Sequence, residues 1–574
     1  VRMRPRRLLT AQLLFAAAGQ GRSFDELLPD STVFYLSVED LARTRERFEA
    51  SPLNALWKDD QTQAFVAKAI KRWDEWMEES RKEDGFSPTD VFRTVSGQVV
   101  MAFPRFVKDK EGNPEPVMVV LADISDKAEE VRRMAAAAER AAEEAGDRFR
   151  REEEDFRGAT LVHYRRGSSE EGVDNQGPDC WFLAGSLFGA ADDPDDLRAI
   201  LARRGGGAEG TLASKPGYMN VRERLGGRAD IVAYLDGAAF FDFVAMQMDE
   251  EAGPIFGALG LAGIEGLGIQ LSLEPSSVTM KAYLAVRGKK EGFLKLVDGA
   301  NSAALPPRFV PSDVTSVATY SLSLLDLWNE ARRVGEKVQP GVSGQMDGMM
   351  EAIKAQLGVD LRTDVMGALG DRFVYYVRLP DKPGAEAPPP FGGAGIPGMP
   401  AFVLAWSVKD KARLEGALQA VYAQAGPMFQ EGEFLGTKYR VLNMQPMIPV
   451  QPALALLPDH LVVALSLDDL KDVLTRYGKD VKGLIDDPEF ARAIEHLPAE
   501  RFALGFSREA KALRQGFLTG LISGLSGGEE ELFDAERMPS VETLERYIDV
   551  SGTALVNEED GLTYVYRLGL KKAE

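Results

Sequence analysis

The chain has one cysteine, Cys180, and three histidines in 574 residues. One cysteine permits no intrachain disulfide and no thiolate metal cluster. His163, His460 and His496 lie far apart, none has a second histidine at ligand spacing, and no HExxH string occurs. Zinc-hydrolase chemistry therefore lacks its ligands. Positive charge is also short: 68 Lys and Arg face 89 Asp and Glu, giving a net charge of −21 and a pI near 4.9. A carboxylate-rich surface repels phosphate backbones, which excludes nucleic acid as a partner. Long apolar runs are missing too. The most apolar stretch beyond the N-terminus, Ile255 to Leu271, carries Glu265 and several glycines, so no transmembrane anchor is expected there. What remains, 45% hydrophobic and 27% charged residues, is globular composition in a chain long enough for two or more domains.

Residues 1–22 read as an export signal. Arg2, Arg4, Arg6 and Arg7 form a positive segment, Leu8 to Ala18 (LLTAQLLFAAA) an apolar one, and small residues follow. The apolar segment is well short of the roughly 20 residues of a spanning helix, so cleavage near Ala18 is expected. The Arg6-Arg7 pair leaves the Sec and twin-arginine routes both open. The expected location is extracytoplasmic, periplasmic or secreted.

Internal repetition is the strongest positive signal. Leu27 to Leu41 (LLPDSTVFYLSVEDL) and Leu456 to Leu470 (LLPDHLVVALSLDDL) share nine of fifteen positions. WFLAGS (181–186) and TYSLSLLDLWNEARR (319–333) read as further copies of a strand entering a capped helix. Five collinear pairs define a longer period: Ser37 with Ser323, Thr89-Asp90-Val91 with Thr363-Asp364-Val365, Asp126 with Asp410, Ser186 with Ser466, and Pro216 with Pro488. The expected organisation is a signal peptide at 1–22, a first lobe at 23–300 and a second, homologous lobe at 301–574. Short strands separated by helices or hairpins predict an α+β fold, each lobe a mainly antiparallel or mixed sheet with helices on one face. Asp126 to Phe156 reads as one solvated, salt-bridged helix, and Pro380 to Pro400 as a disordered Pro/Gly loop.

Catalytic strings fail by context. Gly393 to Gly398 matches GxGxxG inside the Pro/Gly loop, where no strand and helix can present pyrophosphate to a helix start. Gly524 to Gly528 matches GxSxG, but no histidine follows it. Cys180 reads as a buried small hydrophobe, and the three histidines as structural. Asp192-Asp193-Pro194-Asp195-Asp196 and Asp486-Asp487-Pro488-Glu489 place acids around a proline at a helix start, which is capping chemistry rather than a calcium loop. Glu529 to Glu531 reads as an exposed acidic turn. Val66, Ile70, Trp73 and Met77 follow the spacing of one buried helical face, with Trp76 off it; Met346, Met350, Ile353 and Leu357 repeat that spacing. No catalytic, cofactor-binding or metal residue is assigned.

On the repeated LLPDSTVFYLSVEDL and LLPDHLVVALSLDDL segments and the trailing GLIDDPEFARAI, the chain resembles a family of uncharacterised exported bacterial proteins carrying a domain of unknown function. The resemblance implies an extracytoplasmic α+β repeat protein and lends no catalytic residues. The expected function is a non-enzymatic binding or scaffold protein of the cell envelope, with a protein or small ligand held at the inter-lobe surface. The alternative is a carboxylate-dependent hydrolase acting on envelope polymer.

Overall fold

The computed structural model describes residues 23–571 apart from 84, 95, 109–111, 145–148, 167–179, 207–208, 248–251, 380–400, 444–450 and 515–532. The expected leader, the Pro/Gly loop with its GxGxxG string, the GxSxG string and Glu529 to Glu531 lie outside the described residues. The chain divides into two compact units: 1–250 with 264–286 and 529–538, and 251–263 with 287–528 and 539–574. The main division thus falls after 286, where the repeats had placed it at 300, and each unit includes one short segment from the far side of that division.

Chain order in the first unit runs β1 (Phe34–Val38), α1 (Leu41–Ala50), α2 (Pro52–Lys58), α3 (Asp60–Glu83), α4 (Pro88–Thr94), β2 (Val99–Lys108), β3 (Pro114–Asp123) and α5 (Ala128–Glu144). It continues through β4 (Phe149–Phe156), β5 (Ala159–Arg166), β6 (Cys180–Ala184), β7 (Leu187–Ala191), α6 (Pro194–Arg204), α7 (Pro216–Leu225), β8 (Ile231–Asp236) and α8 (Gly237–Gln247). After α9 (Ala252–Leu259), which belongs to the second unit, β9 (Ile264–Glu274) and β10 (Ser277–Val286) close the first. The second unit contains α10 (Phe293–Leu296), β11 (Ser316–Ser321), α11 (Leu324–Val338), α12 (Val342–Leu357), β12 (Leu369–Arg378), β13 (Ala401–Val408) and α13 (Lys411–Ala425). Then come β14 (Phe429–Phe434), β15 (Thr437–Leu442), β16 (Ala453–Leu456), β17 (His460–Ala464), α14 (Leu467–Arg476), α15 (Pro488–Ile494), β18 (Ala503–Arg508), α16 (Val541–Glu545), β19 (Ile548–Glu558) and β20 (Gly561–Leu570). The fold is α+β.

Both units pair their strands in one order, antiparallel throughout. The first runs β4-β5-β6-β7-β3-β2-β1-β8-β9-β10. The second runs β14-β15-β16-β17-β13-β12-β11-β18-β19-β20. The ladders fix residue equivalence. Asp236 N donates to Val33 O as Arg508 N does to Thr315 O, and Glu39 N to Asp230 O as Ser321 N to Phe502 O. Ser37 faces Val100 and Val232, while Thr319 faces Val374 and Leu504. Ser37 therefore corresponds to Thr319, not Ser323, which caps α11 instead.

Shared side-chain devices follow the same register. Gly268 on β9 lies under α7, where an added Cβ would come 2.1 Å from Val221 Cγ1 and 2.9 Å from Leu225 Cδ1. Gly552 on β19 lies under α15, with a Cβ 2.2 Å from Ala493 O and 3.1 Å from Leu497 Cδ1. The missing side chain lets each helix sit close on its sheet. Arg105 on β2 pairs with Asp196 of α6 at 2.6 Å, and Arg378 on β12 with Asp469 of α14 at 3.6 Å. Each pins the start of a helix to a strand.

Helices cover both faces of each sheet, not one. On β3 the consecutive residues Val119, Val120, Leu121 and Ala122 are all buried. Val119 and Leu121 join a core with Leu197, Ile200, Tyr218 and Val221 of α6 and α7. Val120 and Ala122 join another with Val91, Val131 and Met134 of α4 and α5. In the second unit Val403 and Ala405 pack with α14 and α15, and Trp406 with Leu414 of α13. An unbroken apolar run needs cover on both sides, whereas alternation would have allowed one wet face.

Three local expectations change. The 126–156 segment is a helix only to Glu144; residues 149–156 form β4, an edge strand whose charges alternate in exposure. Alternating charge on an edge discourages pairing with another chain. WFLAGS is β6 and a turn, and the strand that enters a capped helix there is β7, with Asp193 as N-cap and Pro194 at the first helical position. Trp73 is 51% exposed although it lies on the Val66 face, while Trp76 is half-buried against it, ring centroids 4.8 Å apart. Residues 71–75 of α3 are all exposed.

Candidate functional site

The repeats do not mark one concave feature among the described residues of the first unit. A groove of about 480 Å3 is lined by Leu41, Thr44, Arg45 and Phe48 of α1, Leu53 of α2, Asp230, Leu271 and Leu273 of β9, and Val278 of β10. α1 starts where it does because Asp40 caps it, accepting from Arg43 N at 2.9 Å. That start sets Leu41, Thr44, Arg45 and Phe48 on one face at three- and four-residue spacing, turned to the hairpin of β9 and β10.

The floor is charged but neutralised. The Asp230 side chain is fully buried and takes both oxygens to Arg47 Nη1 at 3.1 Å. Leu273 N donates to it at 2.7 Å, and Thr44 Oγ1 lies 3.4 Å away. A buried carboxylate is tolerable when paired and hydrogen-bonded in this way. The walls are apolar, and Phe48 is 39% exposed at the rim. The arrangement can take up an apolar group; it places no nucleophile beside a base.

The equivalent place in the second unit is filled. Phe502 stands where Asp230 does, and Asn557 where Leu273 does, by the ladder register. Across them runs the segment 290–304. Gly299 packs on the Phe502 ring, and its carbonyl accepts from Asn557 Nδ2 at 2.8 Å. Asn301 and Asn557 exchange two more bonds at 2.8 and 2.9 Å. Lys290, 6% exposed, donates to Asn557 Oδ1 and Glu558 O. Ser302 and Arg501 form a two-bond bridge, and α10 packs on α11, the counterpart of α1.

The residues singled out in the sequence are dispersed. Cys180 is buried in β6 with Sγ 3.0 Å from Ala191 O. His163 on β5 lies 3.4 Å from Glu154, His460 opens β17 beside Asp459 at 2.8 Å, and His496 is exposed beyond α15. Asp193 and Asp487 are N-caps before prolines, accepting from Asp195 N and Glu489 N. Among the described residues, Asp196 is the carboxylate held above its ordinary range, through burial that its Arg105 partner opposes. That guanidinium takes both of its oxygens at 2.6 and 2.7 Å. No group of three or more His, Cys, Asp or Glu among the described residues is placed to hold a metal, and no helix among them is long and apolar enough to cross a membrane.

No family model and no curated protein matches the chain. One solved structure, crystal form III of TP0453, aligns at 10% identity over 47% of this chain and 81% of that one, with a TM-score of 0.22. A likeness that low carries no argument about fold or function.

Proposed function

We propose that the protein is an exported, non-enzymatic binding or scaffold protein of the bacterial cell envelope, built from two lobes of common origin. Duplication is supported by the identical strand order, the paired Gly268 and Gly552, and the paired Arg105–Asp196 and Arg378–Asp469 bridges. Export is supported by the arginines and the apolar Leu8 to Ala18 at the N-terminus, and the resemblance to uncharacterised exported proteins belongs to the same reading.

The observation that carries binding is the groove of α1 and the β9–β10 hairpin, apolar-walled and about 480 Å3. Its ligand is an apolar group or segment. Titration with 1-anilinonaphthalene-8-sulfonate tests this: saturable fluorescence enhancement that Phe48→Glu reduces several-fold is expected. Equal enhancement in the variant would remove the groove as the site. Turnover of glycosides, esters or peptides abolished by a single carboxylate substitution would replace the reading with a hydrolase.

A further inference from the structure

The second unit buries two cations around the segment 290–304 and treats them differently. Lys290 is met by the Asp298 carboxylate at 3.5 Å, by Asn557 Oδ1 and by Glu558 O. Arg501, 5% exposed, donates from Nε to Ala303 O at 3.2 Å. Its Nη1 is buried without a hydrogen-bond partner. Burial lowers the guanidinium from its ordinary range, and no acid among the described residues acts against that.

Other arginines on the two sheets show what is missing. Arg105 is held by Asp193 and Asp196, Arg378 by Asp313, Asp469 and Asp472, and Arg508 by Asp487 and Glu489. At Arg105 and Arg378 burial works to lower the guanidinium, and the carboxylates outweigh it. Those three arginines are half-buried, whereas Arg501 is buried and has no such partner. A guanidinium cannot shed its proton as a buried lysine can, so the charge stays. Water can take the place of one acceptor but leaves that charge uncompensated.

The fold does not require a cation at this position. One residue before the equivalent Asp230 and Phe502, the first unit has Ala229, 4% exposed, where the second has Arg501. A methyl group closes the first ladder there. Access in the second unit is short, since Ala303, which takes the Nε bond, is itself exposed. Ser302, which exchanges two main-chain bonds with Arg501, has its hydroxyl 3.4 Å from that of Ser321, so hydroxyl groups stand at the same bridge.

We infer that Arg501 holds a small monovalent anion, a carboxylate or a halide, which completes the closure of the second unit over 290–304. Charge sets the valence: one guanidinium balances one negative charge, and a divalent oxyanion would leave its surplus buried in a chain already at −21. Geometry sets the order of preference. A guanidinium edge meets a carboxylate with two parallel bonds and a halide with fewer, so formate should bind more tightly than chloride. The site is separate from the groove of the first unit and does not rest on it.

The test uses the whole chain in sodium formate, sodium chloride or the bulky sulfonate sodium MOPS at one ionic strength. Hydrogen exchange at the slowest amides of the second unit should slow about tenfold for each tenfold rise in formate above its dissociation constant. Chloride should act at higher concentration and MOPS not at all. The chloride NMR line should broaden with protein, and formate should reverse the broadening. Arg501→Met and Arg501→Gln should abolish both effects, and without formate or chloride Arg501→Met should exchange no faster than the parent chain, because it removes an unpaired charge.

Exchange indifferent to formate and chloride, with no line broadening, would overturn the inference and leave Nη1 to water. Equal protection in the parent chain and both variants would also overturn it, marking an adventitious ion only. Should neither variant fold, the anomalous signal of bromide in crystals decides: a peak beside Arg501 Nη1 supports the site, and its absence there overturns it.

Discussion

The first unit holds a buried carboxylate, Asp230, where the second holds a buried phenyl ring, Phe502, on an otherwise matching ladder. A charge must be paired to stay buried, so the first unit positions Arg47 from α1 under an open groove. A ring needs only contact, so the second unit lays Gly299 flat against it and closes over. Identical sheet topology thus leaves open whether a cleft is filled or available.

The comparison breaks most strongly at that position. Phe502→Ala should cost about 3–5 kcal/mol, because the cavity under 290–304 cannot collapse around a fixed bridge. Asp230→Ala should cost less, about 2–3 kcal/mol, since Leu273 N loses its acceptor while Arg47, 41% exposed, turns back to water. Urea unfolding followed by hydrogen exchange in each unit would report both values. Equal losses would mean the groove floor is as closed as the plugged cleft.

Next come the paired glycines. Gly268→Ala and Gly552→Ala should each destabilise by about 1–3 kcal/mol through overpacking, with Gly552 the larger because its Cβ meets a main-chain carbonyl rather than side chains. A neutral result at one position would show that its helix is free to shift.

Acid should sharpen the contrast by the smallest amount. In the second unit, Lys354 holds Asp360, Ser343 holds Glu336 and Arg440 holds Glu431 below the ordinary carboxylate range. Burial acts against the lowering at Asp298 and Asp459, where bonds from Lys295 and Tyr477 outweigh it. In the first unit Arg198 does this for Glu154, and at Asp90 bonds from Ser87 outweigh burial, whereas Asp196 is raised. Groups with depressed folded values contribute stability above their ordinary range near 4, and lose it as pH falls through the folded values. Exchange protection in the second unit should therefore drop more between pH 5 and pH 3. These groups are mostly solvated, so the drop is modest. A larger loss in the first unit would contradict the assignment.

Much of this architecture was legible because repetition is a local signal. The offsets Thr89 to Thr363, Asp126 to Asp410 and Pro216 to Pro488 coincide with the register of β2 and β12, β3 and β13, and α7 and α15. The strongest string identity misled for the same reason. LLPDSTVFYLSVEDL and LLPDHLVVALSLDDL both encode strand, cap and helix, yet they occupy β1 and β17, different places in the strand order, and Asp40 and Ser466 cap at different positions of the string. Trp73 misled because helical periodicity states which residues share a face, not whether anything covers it.

Composition and pattern by themselves determined that the chain is α+β, repeats its elements, can form no intrachain disulfide and carries a net charge of −21, since each follows from local spacing or from counting residues. The tertiary structure decided the rest. Arg47 and Asp230 are 183 positions apart, and Leu41 and Leu273 line one groove only when β1, β8 and β9 align. Whether that meeting leaves a groove or a plugged core depends on which distant segment returns to cover it, and no local pattern encodes that return.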